Sequence, residues 1–129
     1  IKQAQPEQAM GLFIDFWMGE GRWKSLKTQS KQGLLTYSQM LHLDFADAIH
    51  NAYVPCDLPA YGGSTKVMYG EQTVMIAKRI CQLLAQKLPQ SQLLALPSLG
   101  HMGPIQSPER VNTEILDHIQ MTESNSVSY

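Results

Sequence analysis

Residues 66–104, KVMYGEQTVMIAKRICQLLAQKLPQSQLLALPSLGHMGP, decide the fold. KVMYG at 66–70 is a short apolar run that follows the turn residues of GGST, and it suits a buried strand. From Val74 to Leu88 the residues Ile76, Ile80, Leu83, Leu84 and Leu88 recur at helical spacing, and Pro89 marks the stop. QLLAL at 92–96 is a second strand. Strand, helix and strand within about 30 residues form a βαβ unit, whose strands lie parallel and whose carboxyl ends open on one edge of the sheet. Loops 70–73 and 97–104 are therefore expected to face one another.

Downstream, Ser107 is placed to cap a helix that opens with Pro108 and carries Val111, Ile115 and Ile119 along one face. That helix should pack back on the sheet. Two strands alone leave faces and edges that need cover, so further strands are expected to complete the sheet. Upstream, PEQAMGLFIDFWM at 6–18 opens with Pro and sets Met10, Phe13, Ile14 and Trp17 at helical spacing, with Gly19 and Gly21 as stops. After a short basic segment, GRWKSLKTQSK, a second helix is expected from about Leu34 to Ala52. Its stripe is Leu34, Tyr37, Leu41, Phe45, Ala48 and Ala52, and Pro55 and Pro59 break it. The fold class is thus α/β, with a helical region at 1–57 followed by a strand-helix-strand-helix unit with parallel strands at 58–129. A chain of 129 residues is long enough for one well-buried core and short for two. No internal repeat supports a solenoid.

Composition narrows the function classes. The chain is 43% apolar and 16% charged, as in ordinary globular proteins. Its net charge is −1 with ten Lys and Arg scattered along it, which supplies no basic stripe for nucleic acid. No apolar run reaches the roughly 20 residues of a membrane span, and IKQAQPEQ lacks the apolar core of a signal peptide. The expected location is the cytoplasm, and Cys56 and Cys81, in unlike contexts, read as reduced thiols. An initial Ile and the polar end MTESNSVSY point to an N-terminally trimmed fragment.

The residue with the most chemistry is His101. It follows the second strand, stands between Gly100 and Gly103, and precedes a capped helix. Ligands of open α/β sheets bind at this carboxyl edge. An imidazole on a short anchored loop there is placed to act as a general base, and the two glycines leave room for a substrate.

KVMYGEQT, the helix ending AQKLP, QLLALPSLGHMGP and SPERVNTEI together resemble the C-terminal stretch of the α/β-hydrolase superfamily, over about residues 58–120. The Gly-His pair, the flanking prolines and the Val-Asn pair fall where such hydrolases place them. The resemblance implies a partial α/β-hydrolase fold and makes His101 the catalytic histidine, which takes a proton from a nucleophile or activates water while an acid orients its other ring nitrogen. Residues 6–52 are similar, more loosely, to the helical lid, or cap, of such enzymes, in which Trp17, Trp23 and Tyr37 would line a pocket. Ordinary helix packing explains the same aromatics and is preferred.

The rest of the triad does not follow. No G-x-S-x-G nucleophile elbow occurs in these residues. GGSTK at 62–66 lacks the second glycine and precedes a strand, so Ser64 reads as part of an entry loop. The family commonly places its acid three residues after the glycine that ends the first of these strands, and Thr73 stands there. Glu71, directly after Gly70, is the local candidate for the orienting acid. His42 and His50, with Asp47 between them, are spaced too widely for an i, i+4 metal pair, and they and His118 read as surface histidines. No metal, nucleotide or other cofactor is expected.

Two functions follow as expectations. One is a hydrolase or acyltransferase acting on a small ester-like substrate, to which this chain supplies the histidine while a missing N-terminal half supplies the nucleophile; the chain alone would be inactive. The other is a catalytically inactive relative that self-associates as an oligomerising or binding module.

Overall fold

A computed structural model of the protein describes residues 6–50 and 61–126, without the side chains of Gln39, Ala48, Ile49, Asn125 and Ser126. The expectations at Ala52, Pro55, Cys56, Pro59 and the two chain ends lie outside the described residues, and that at the Ala48 side chain does too. The architecture is mixed α/β, mostly helical, with two parallel strands in one sheet among the described residues. The chain divides into two compact units, residues 1–54 and 55–129.

The first unit is helical: α1 (Pro6–Met18), α2 (Arg22–Ser25), α3 (Thr28–Thr36) and α4 (Ser38–His50). Met10 and Ile14 of α1 bury against Trp23 of α2, and Phe13, Leu26, Leu34, Leu35 and Leu41 pack around them. The turn between α1 and α2 is tied by Asp15, whose carboxylate accepts the N–H groups of Gly21 at 3.1 Å and Trp23 at 2.6 Å. These are donors that a helix start leaves without an intrahelical acceptor. Gly19 and Gly21 adopt positive φ values of 103° and 77°, which makes glycine the natural residue at both positions.

The single helix expected from Leu34 to Ala52 is in fact two, and the first begins within the basic segment. The Thr36 hydroxyl donates to Gly33 O at 2.6 Å, the carbonyl that Tyr37 N–H would use in a continuous helix. Tyr37 N–H donates instead to Leu34 O, one residue nearer, and Leu41 N–H opens α4 by donating to Tyr37 O. The first turns of α3 carry exposed polar residues, Gln29, Ser30 and Gln32, so no apolar period announces them.

The second unit holds β1 (Thr65–Gly70), α5 (Met75–Lys87), β2 (Ser91–Leu96), α6 (Gly103–Gln106) and α7 (Pro108–Ser126). β1 and β2 pair in parallel from Thr65 opposite Ser91 to Gly70 opposite Leu96, and α5 packs on both. Leu96, Leu99 and Val111 form its buried cluster, backed by Met68 and Leu94. Each unit therefore has its own small cluster of buried residues, where the chain length predicted one core. With three buried apolar side chains in each cluster among the described residues, the chain spreads its apolar residues over two centres.

The buried faces of α5 and α7 also differ from the expected stripes. Ile76 and Ile80 remain 55% and 51% exposed, while Leu83, Leu84 and, just past the helix end, Leu88 are half-buried as expected and are joined by Ala77 and Cys81. Small side chains at 77 and 81 let the helix lie close to β1, and Cys81 Sγ–H donates to Met68 O at 3.8 Å. Among the described side chains of α7 only Val111 is buried, while Ile115 and Ile119 are 42% and 44% exposed. Lys66 of β1 supplements that anchor, donating to Glu114 Oε2 at 2.9 Å and to Glu114 O at 3.0 Å. A sheet of two strands is too narrow to cover both helices along their length.

Candidate active site

The site is built where the two parallel strands end. Glu71 N–H donates to Leu96 O at 2.9 Å and Gln72 N–H to Leu99 O at 2.8 Å, so the loop after β1 is bonded directly to the loop after β2. Gly70 sits under this crossing. A Cβ there would collide with the carbonyl oxygens of Leu99 and Gly100, so only glycine lets the loops approach. One backbone torsion and two contacts set the His101 loop. Ser98 takes a positive φ of 62°, Gln106 Oε1 accepts Gly100 N–H at 3.0 Å, and Arg110 Nη1 donates to Pro97 O at 3.1 Å.

In this frame Thr73 Oγ1 lies 3.2 Å from His101 Nδ1. Thr73 is only 6% exposed and is the one buried polar side chain among the described residues, whereas His101 is exposed. Thr73 N–H closes a tight turn by donating to Gly70 O at 2.9 Å, which fixes the side chain relative to the strand end. Both residues border an open, largely apolar cavity of about 240 Å³, whose walls include Met68, Tyr69, Cys81 and Val111. Burial pushes the Cys81 thiol above its ordinary value, partly offset by a backbone hydrogen bond, so the thiol in that wall is protonated at neutral pH.

The expected facing of the two loops is thus present in the backbone, with His101 at the cavity. Glu71 does reach the opposite loop, but its Oε2 accepts Ser98 N–H, at 3.4 Å, and the group beside His101 Nδ1 is Thr73. Ser64 is exposed in the loop entering β1. In the first unit, Trp23 is part of the buried cluster and Tyr37 is exposed; Trp17 packs edge-on against Phe13 and Phe16. His42 and His50 are exposed, with His50 Nδ1 2.6 Å from Ala46 O, and His118 is half-buried on α7. Among the described residues no group of three His, Cys, Asp or Glu side chains is placed to hold a metal ion. No helix among them is long and apolar enough to cross a membrane.

Sequence reasoning missed Gln106 and Arg110 as supports of the loop, because neither belongs to a local pattern. The position of Thr73 was marked, but nothing in the chain's periodicity shows that its hydroxyl meets His101. No protein-family model, no curated protein sequence and no solved structure matches this chain.

Proposed function

We propose that this chain is the C-terminal part of a hydrolase, or related acyltransferase, of the α/β-hydrolase type, in which His101 moves the proton. The observation that carries the reading is the placement of His101. It lies at the carboxyl edge of a parallel strand pair, on a loop bonded to its neighbour, beside a buried side chain and at the wall of a cavity. Such a histidine takes a proton from a nucleophile as it attacks and returns it to the leaving group. The apolar walls suit a small ester, epoxide or haloalkane.

The 129 residues contain no G-x-S-x-G elbow, and this reading assigns the nucleophile and the oxyanion-binding N–H groups to a preceding half of the protein. Two measurements test this division of labour. The coding sequence ahead of Ile1 should encode a strand, a G-x-S-x-G or G-x-D-x motif and a helix; an in-frame start immediately before it would overturn the reading. The purified chain, given a p-nitrophenyl ester, should show no turnover above buffer. Turnover that disappears in His101→Ala would place a nucleophile within these residues.

A second reading, a non-catalytic relative that serves as an oligomerising module, is favoured by one observation. Ile76, Ile80, Leu116 and Met121 on α5 and α7 are all more than half exposed. It predicts a stable, specific oligomer and no activity even with the complete coding sequence.

A further inference from the structure

We infer that Thr73 is a positioning residue that sets the tautomer of His101, donating its hydroxyl proton to Nδ1 and so keeping the ring proton on Nε2. The inference rests on His101 being the working group of the proposed site. Thr73 is 6% exposed, and the structure gives its Oγ1 no hydrogen-bond partner other than His101 Nδ1 among the described residues. A hydroxyl has one hydrogen and two lone pairs. A buried O–H that finds no acceptor costs about 1–3 kcal/mol, whereas an oxygen acceptor with an unused lone pair is the commoner of the two deficits in folded proteins. Nδ1 is the acceptor at hand. If Nδ1 carried the proton instead, Oγ1 would become the acceptor and its own hydrogen would have to turn toward the largely apolar cavity, where no protein acceptor meets it among the described residues.

A neutral imidazole that accepts at Nδ1 carries its proton on Nε2. His101 at neutral charge therefore offers a donor at Nε2, not a base. A carboxylate at position 73 would do the opposite, because it only accepts and would hold the proton on Nδ1. Thr73 thus makes proton abstraction by Nε2 conditional on a prior exchange of tautomers. The size of such an effect is known in general terms: a carboxylate-to-amide change beside a triad histidine leaves the geometry intact and costs about 10⁴ in kcat through the wrong tautomer.

The test is long-range ¹H–¹⁵N correlation on the chain labelled at histidine, above the pH at which the imidazoles are neutral, with His101→Gln used to assign the signals. The expected pattern for His101 is a protonated Nε2 and an accepting Nδ1. Thr73→Ser should keep it, Thr73→Val should shift the Nδ1 resonance, and Thr73→Asp should move the proton to Nδ1. A wild-type spectrum with the proton on Nδ1 would overturn the inference, as would a Nδ1 resonance that Thr73→Val leaves in place. The wild-type spectrum and Thr73→Ser decide the matter should the other variants fail to fold. Ester turnover tests the proposed function separately, since the spectrum requires no nucleophile.

Discussion

Gly70 shows how a single residue without a side chain makes the site. The crossing of the two loops leaves no space for a methyl group against the Leu99 and Gly100 carbonyls, and backbone cannot move aside as a flexible side chain does. Gly70→Ala should cost about 1–3 kcal/mol in urea unfolding and loosen the His101 loop, seen as new signals for residues 97–103 in amide spectra. Cys81 gives a prediction in pH. Its folded pKa is raised above 9.0 by burial, so the folded chain holds its proton where the unfolded chain releases it. The resulting stability is fully present below pH 9.0 and is lost as pH rises through the higher folded value. Iodoacetamide should therefore modify this thiol slowly at pH 8, and Cys81→Ala should flatten the alkaline loss of stability; rapid modification at pH 8 would show the thiol to be unprotected.

Among the elements, those with strong periodicity were legible and those held by polar detail were not. β1, α5 and β2 could be read from the alternation of apolar runs with Pro89 and the turn residues around them, to within a residue at most ends. The inward face of α5 could not. The largest side chains, Ile76 and Ile80, dominate the sequence pattern, yet Ala77 and Cys81 lie inward, where a close approach to β1 favours small residues. The break at Tyr37 rests on one hydroxyl taking one carbonyl, and α2 rests on Asp15 across a turn. Asp15→Ala should consequently destabilise the helical unit by about 1–2 kcal/mol, the usual cost of removing a helix-start acceptor, measured by thermal unfolding followed at 222 nm. Trp23→Ala removes the centre of the same cluster and should cost more, about 3–5 kcal/mol if the unit tolerates it at all. Of the site, the position of His101 was legible from strand, loop and helix order; its contact with Thr73 depends on the parallel register that brings Gly70 opposite Leu96, which no local pattern states.

For the whole chain, the two small clusters and the exposed apolar side chains on α5 and α7 describe a protein with more apolar surface than its own sheet covers. Sedimentation velocity should accordingly show concentration-dependent association of the chain, whereas a monomer that stays monomeric at high concentration would contradict this account of its surface. The role of His101 is tested with the complete protein encoded by the reading frame that carries these residues. Hydrolysis of a p-nitrophenyl ester series by that protein is compared with hydrolysis by its His101→Ala variant. Turnover of at least one ester is expected, with a fall in kcat of roughly 10²-fold in the variant, because the tautomer set by Thr73 already forgoes about 10⁴ of what a triad histidine supplies, and with the fold unchanged by circular dichroism. Ester turnover that is the same with and without the imidazole would contradict it.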